Sequence, residues 1–276
     1  MLSRRALVWA ALLVPLFVAC ADVRLAPSVP ATLEFANFAA PAIVVGDSLR
    51  DVDGVAVPVH AVVRNQDGDV LADAPVRFVY ADANRDTAVF VDSVTGYVVS
   101  LKALIGTAIT VRIAARTGKS LQAIRTVLIT TRPDTVISGS TPIDTLRTTL
   151  PDTGSAAAQA NTSGALSVTL RHTDGTASTL VSNYLVKFEL VQPANPMNDS
   201  TAAVFLVNDA RMVSNIDTTD VSGIASRFVR VRSSQFPTGT ALDSAVVRAT
   251  VSYKGQSVKG SPILLVVPII KKVTTP

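Results

Sequence analysis

Leu166-Ser167-Val168-Thr169-Leu170-Arg171 sets an apolar residue at every second position and a polar one between, which is the period of a half-buried β-strand. Val186-Lys187-Phe188-Glu189-Leu190 repeats the pattern, with Lys187 and Glu189 on the wet side. Ala245, Val247, Ala249 and Val251 share one face of a third segment, while Arg248, Thr250 and Ser252 share the other. In the N-terminal half, Ile109, Val111 and Ile113 alternate with Thr110 and Arg112. Strands with one wet face build antiparallel sheets. Composition agrees, because 41 Val and 28 Thr make a quarter of the 276 residues β-branched, a bias toward strands over helices. Most of the 15 Pro and 14 Gly fall between the apolar runs, where turns belong. No stretch keeps a helical period, and Ala156–Ala160 is only a short alanine cluster. The chain therefore reads as all-β, with length enough for two domains of ordinary size.

The first residues have a different character. Arg4 and Arg5 precede a 14-residue apolar run, Ala6–Ala19, interrupted by Pro15. That run is shorter than the about 20 residues a spanning helix needs, and it reads as an export signal over residues 1–19. Phe17-Val18-Ala19-Cys20 resembles the lipobox of bacterial lipoproteins, in which a small residue precedes the lipid-modified cysteine; Phe17 stands where that motif usually has Leu. The resemblance implies lipidation at Cys20, which is also the chain's only cysteine; the alternative is a plain secretory signal. Cleavage before Cys20 leaves 23 basic against 21 acidic residues, so the net charge falls from +4 to +2 and gives little reason to expect nucleic acid binding. Trp9 leaves as well, and one cysteine permits no internal disulfide, so the core must rest on aliphatic packing.

Past a short segment with two prolines, the strand-like stretches come in two ordered sets. Asp47-Ser48-Leu49-Arg50 is echoed by Asp144-Thr145-Leu146-Arg147, and Val63-Arg64 before Asp67-Gly68 by Leu170-Arg171 before Asp174-Gly175. Val76-Arg77-Phe78 returns as Val186-Lys187-Phe188, Gly96 as Gly223, Val111–Ala114 as Val247–Thr250, and Leu128-Ile129 as Leu265-Val266. The offsets grow from 97 to 137, as they should for a duplicated domain whose second copy carries longer loops. About 100 residues of short strands per copy predict two β-sandwiches. Asn65-Gln66-Asp67-Gly68 ahead of Val76-Arg77-Phe78, and Asp217-Thr218-Thr219-Asp220-Val221-Ser222-Gly223-Ile224-Ala225 in the second copy, resemble the tandem immunoglobulin-like domains of bacterial invasins and intimins. The first copy departs from that pattern at Tyr97-Val98. The resemblance implies two immunoglobulin-like domains at 32–131 and 132–270, after a signal (1–19) and a lipid-anchored tether (20–31) and before a tail (271–276). It also implies a spacer or adhesive role without catalysis.

The chemistry-bearing residues fit that expectation. Asp51-Val52-Asp53-Gly54 and Asn65-Gln66-Asp67-Gly68-Asp69 offer oxygens of the kind calcium takes, but they lack EF-hand spacing and match what tight turns need. His60 and His172 fall in different copies, and no nucleophile elbow, phosphate loop or His-Glu-x-x-His motif is present, so no catalytic residues, metal or cofactor are expected. Leu150-Pro151-Asp152-Thr153-Gly154 spells a cell-wall sorting motif, yet the apolar run Ile263–Ile270 is strand-length, and the motif reads as a loop. Asn161-Thr162-Ser163 and Asn198-Asp199-Ser200 fit the glycosylation pattern of a compartment the N-terminus does not suggest. Arg227, Arg230 and Arg232, with Arg248 nearby, read as a solvated strand face, or else as a contact for an acidic partner or anionic lipid. The long insertions of the second copy, 192–201 and 209–221, are where a rigid sandwich would build a binding site, with Gln192, Asn195, Met197, Asn198, Asp209 and Arg211 as candidates.

The sequence thus predicts an exported, membrane-anchored lipoprotein facing the periplasm or cell surface. Its sandwiches would present loops to a protein or glycan at the cell envelope. The alternative is an extracytoplasmic accessory subunit of a membrane protein complex. The lack of a mature tryptophan argues against a sugar-stacking module.

Overall fold

The computed structural model describes residues 26–81, 88–101, 109–139, 143–148, 161–235 and 244–271. The first eight strands are β1 (Thr32–Asn37), β2 (Ala42–Val44), β3 (His60–Arg64), β4 (Arg77–Tyr80), β5 (Val89–Val91), β6 (Val98–Ser100), β7 (Ile109–Thr117) and β8 (Leu121–Thr130). After them come β9 (Thr135–Ser138), β10 (Leu146–Thr148), β11 (Leu166–Asp174), β12 (Ala177–Leu180), β13 (Leu185–Gln192) and β14 (Val204–Val207). The series closes with β15 (Ile216–Thr218), β16 (Ile224–Val231), β17 (Ser244–Thr250), β18 (Ser252–Tyr253), β19 (Gln256–Ser257) and β20 (Ile263–Lys271). Helical structure among the described residues is one 3-10 turn at Ser233–Gln235. Strands up to β8 pair only among themselves, as do strands from β9 onward.

The C-terminal set forms two sheets, β10-β20-β17-β13-β15 and β12-β11-β16-β14, with β9 also paired to β11. The N-terminal set forms β2-β8-β7-β4, facing β1-β3 and β5-β6. In each set a short early strand runs parallel to the last one, β2 to β8 (Ile43 opposite Ile129) and β10 to β20 (Leu146 opposite Ile269), while the other strand pairs are antiparallel. A chain that starts on one sheet, crosses to the edge of the other and then alternates between them is an immunoglobulin-like sandwich. The chain is therefore all-β, with two such sandwiches in tandem. Alternation fills each core: Val186, Phe188 and Leu190 are buried on β13, and Ala245, Val247 and Ala249 on β17. The second core is aliphatic around one fully buried ring, Phe188.

Phe78 and Phe188 occupy the same place, opposite Ala115 and Ala249. Gly96 and Gly223 also match. Each closes a turn in which an aspartate, Asp92 or Asp220, accepts backbone hydrogen bonds through Oδ1. Their φ values are 76° and 67°, and an added Cβ would lie 2.5 Å from Val59 O or 2.8 Å from Leu170 O. Tyr97, the departure noted in the first copy, leaves this turn intact, because Asp92 N still donates to Tyr97 O at 2.8 Å. Other echoes slip. Through pairing with the last strand, Leu146–Thr148 answers to Ala42–Val44 rather than to Leu49-Arg50. Leu128 faces outward where Leu265 faces inward. A period-two pattern is degenerate under small shifts, and β20 is apolar on both faces, so its alternation cannot set the register.

Candidate functional site

The insertion after β13 lies at the end of the second sandwich away from the first. Leu185, at the start of β13, packs on the first core, whereas Gln192, at its end, stands opposite Val246, and Ser244 opposite Pro268 near the end of β20. Two buried asparagines hold the insertion. Asn195 Nδ2 donates to Asp199 O and Val204 O, both at 3.0 Å, and its Oδ1 accepts from Asp199 N at 2.8 Å. Asn198 clasps Leu206, donating to its carbonyl at 3.0 Å and accepting from its N–H at 2.6 Å. Between them Met197 is 87% exposed. The far end of β14 carries a second turn, in which Asn208 Oδ1 accepts from Met212 N at 2.9 Å. Asp209 is exposed there, the Arg211 guanidinium lies 5.8 Å from the Phe228 ring centroid, and Met212 is 62% exposed. Of the six candidates, Gln192, Met197, Asp209 and Arg211 are thus displayed, and Asn195 and Asn198 are pins that shape the loop.

The junction between the sandwiches is a polar lock. Arg50 grips Asp47 with two donors, Nε at 2.8 Å and Nη2 at 2.7 Å, and gives a third bond to Gly54 O at 2.9 Å. Its guanidinium lies 5.8 Å from the ring centroid of Tyr253, in the β18–β19 hairpin of the second sandwich. Across the same seam Thr130 Oγ1 donates to Ser182 O at 2.6 Å and Lys187 Nζ to Asp53 Oδ1 at 2.8 Å, while within the second sandwich Tyr184 Oη donates to Ser252 O at 2.7 Å. Burial works to raise the Asp47 pKa, but the hydrogen bonds from Arg50, Ser48 N–H and Tyr253, with the Arg50 charge, outweigh it and hold the carboxyl below its ordinary value. Burial, with the bond to Asp47 and its charge, pushes the Tyr253 phenol up to about 12. Burial likewise raises Tyr184.

The remaining candidates resolve into local structure. Asp51 Oδ1 accepts from Asp53 N and Val55 N, and Asn65 Oδ1 from Asp67 N and Asp69 N, so both acid-rich stretches cap their own turns. Among the described residues no three His, Cys, Asp or Glu side chains gather closely enough to hold a metal ion. His172 Nδ1 lies 2.6 Å from Asp134 Oδ2, and that oxygen accepts a hydrogen bond from Thr173 N. Burial raises the Asp134 pKa, but that backbone bond and the nearby Arg132 and His172 bring it below its ordinary value. The pleat splits the arginine cluster. Arg227 shares the inward row with Ala225 and Val229 and is buried, bonded to Asp217 at 2.9 Å and to the carbonyls of Ser226 and Ile216, so it does not belong to a solvated face. Arg232 lies 5.3 Å from the ring centroid of Phe205, and Arg248 pairs with Glu189 at 2.7 Å. Asn161 and Asn198, the two glycosylation-pattern residues, are buried. Cys20, the signal and Leu150–Gly154 lie outside the described residues.

Sequence reasoning read Ile263–Ile270 as strand-length, and it is β20, but it missed that strand's outer row. Leu264 is 60% exposed, Val266 47% and Ile270 45%, a dense apolar line for the wet face of a sheet. The signal was present in the unbroken apolar run itself, because a strand with one wet face should alternate. Among the described residues no helix is long and apolar enough to cross a membrane.

No protein-family model and no curated protein sequence matches the chain. Solved structures do. Domains 4 and 5 of the S-layer protein SbsC share 12% identity at a TM-score of 0.28, over 87% of this chain and 96% of that one. The Yersinia pseudotuberculosis adhesin InvE shares 15% at a TM-score of 0.30, over 86% of this chain and 58% of InvE. The extracellular domain of protocadherin GammaB4 shares 14% at 0.28, over 87% of this chain and 32% of the protocadherin. This chain therefore spans only part of the adhesin and of the protocadherin structures. At these TM-scores the likenesses carry no inference about function, and the sheet order described above defines the fold.

Proposed function

We propose that the chain is a non-catalytic exported lipoprotein, held to a membrane at Cys20, that presents the distal loops of its second sandwich to a protein or glycan at the cell envelope. The observation that carries this reading is Met197, a large apolar side chain 87% exposed on a loop shaped by two buried asparagines. Met is the flexible, polarizable side chain that binding surfaces favour, and one held out on a fixed loop fits a contact residue. The bonded junction supports the same reading, since it stiffens the connection on which the loop is carried. Met197→Asp is expected to abolish capture of the partner while leaving the melting transition unchanged; full retention of capture by that variant would rule out this loop. Removing the whole loop is the poorer test, because it also removes the residues that clasp β14.

A second reading, an accessory subunit of a membrane protein complex, is favoured by the apolar row Leu264, Val266 and Ile270, which a lateral neighbour would cover. Gentle detergent extraction, affinity capture and mass spectrometry separate the two. A membrane protein retained at fixed stoichiometry supports the subunit. The protein recovered alone, with a lipid-modified Cys20 peptide, supports the presenter.

A further inference from the structure

The sheet β2-β8-β7-β4 carries four arginines, Arg77, Arg112, Arg116 and Arg125, and no acidic residue in any of its strands. Two of them stand face to face, Arg77 on β4 opposite Arg116 on β7, with Gln122 next in line on β8. Both point outward, since their neighbours Phe78, Ala115 and Thr117 are buried, and both are exposed. Neither guanidinium has a hydrogen-bond or ion-pair partner among the described residues. Like charges directly opposite each other weaken a sheet. An anion placed between the two forks would relieve the repulsion, and the guanidinium geometry suits phosphate oxygens.

The place of this pair in the fold selects the source of the phosphate. Thr130, at the end of β8, touches the second sandwich, so the β7–β8 turn at 118–120 is at the opposite end, beside Arg116 and with Lys119 at its tip. The chain arrives at that same end. Asn65, on the connection between β3 and β4, donates to Pro27 O at 3.1 Å, and Arg64 O accepts from Ala31 N at 2.8 Å. Five residues lie between Cys20 and Ala26, a reach of at most about 22 Å. A lipid at Cys20 therefore lets the arginine pair reach the headgroups, where a basic group gains from the surface potential within a Debye length of about 8 Å. The aspartates at this end, Asp67, Asp69 and Asp73, sit on the β3–β4 connection and not on the sheet face.

We propose that the end of this sheet remote from the second sandwich is a seat for the phosphate groups of an anionic lipid surface, with Arg77 and Arg116 as its main contacts and Lys119 and Gln122 at its rim. The argument for a lipid source rests on the anchoring reading of Cys20, so the test is made without the lipid. The mature chain, residues 20–276 with Cys20→Ser, is mixed with vesicles of phosphatidylcholine alone or with a quarter phosphatidylglycerol, and binding is followed by sedimentation. Binding only to the anionic vesicles, falling with added salt, is expected. Each basic group near the surface strengthens binding about fivefold, so Arg77→Gln with Arg116→Gln should weaken it about 25-fold. The same double variant should melt no lower than the parent, because it relieves a repulsion. Equal binding by parent and variant, or no binding to anionic vesicles, overturns the proposal. Saturable binding of inorganic phosphate without vesicle binding assigns the pair to a soluble anion and overturns the lipid seat. Mass spectrometry of the native Cys20 peptide is the separate control: an unmodified cysteine removes the anchoring reading and leaves the vesicle result standing.

Discussion

Asn198→Ala tests whether the distal loop is a fixed platform. The side chain bonds both backbone groups of Leu206, a residue with no exposed surface. After truncation the Leu206 carbonyl keeps Ser214 N–H as a partner at 3.2 Å, but its own N–H loses the acceptor at 2.6 Å. An orphaned buried donor costs about 2 kcal/mol. Asn198 also sits at φ 52°, where alanine is less at ease than asparagine by several tenths to about 1 kcal/mol. The sum is about 3 kcal/mol, or a drop of about 10 °C in the melting temperature of a sandwich this size. Asn198→Gly should recover about 1 kcal/mol of it, because only the backbone strain is relieved. Urea and thermal melts followed by far-ultraviolet circular dichroism read both variants. A loss below about 1 kcal/mol for Asn198→Ala would mean that the clasp contributes little and that the loop is not held as argued.

Four further outcomes follow from the same physics. Gly96→Ala and Gly223→Ala should each cost about 3 kcal/mol, combining left-handed backbone strain with a clash against a backbone carbonyl, and each should lower the transition of its own sandwich in calorimetry. Asp217→Ala strands the buried Arg227 and should cost about 3 kcal/mol, much of which Arg227→Met should restore in the double variant, as a denaturation cycle would show. The junction should respond to pH at both limits. Because the folded pKa of Asp47 is lowered, its contribution is present above its unfolded pKa of about 4 and drains away as pH falls through the folded value, and Asp47→Asn should flatten that acid limb. Tyr253 is raised to about 12, so its contribution is complete below about pH 10 and is lost toward 12, measurable as the share of the late tyrosinate absorbance that Tyr253→Phe removes, the buried Tyr184 retaining the rest. Lys187→Ala, by contrast, breaks an exposed bridge to Asp53 and should change stability by less than about 1 kcal/mol.

Much of the architecture is local, and so it could be read from the residues in order. Period-two alternation in Leu166–Arg171 and Val186–Leu190 requires strands with one dry face, and the paired glycines Gly96 and Gly223 mark turns that only a positive φ can close. Those features act within a few residues, so the fold class and the two-copy order are legible in the residues alone. Tertiary structure decided what depends on partners distant in the chain. The pleat turned Arg227 inward while Arg232 lies over Phe205, and burial made Asn195 and Asn198 into clasps instead of contacts. Strand pairing set Arg77 against Arg116, 39 positions away, with no counter-charge on either among the described residues. It also joined Asp47 and Arg50 to Tyr253 across the seam. Charge, burial and hydrogen bonding at these places are properties of the packed neighbourhood, and an alternation that survives a two-residue slip cannot specify which neighbours those will be.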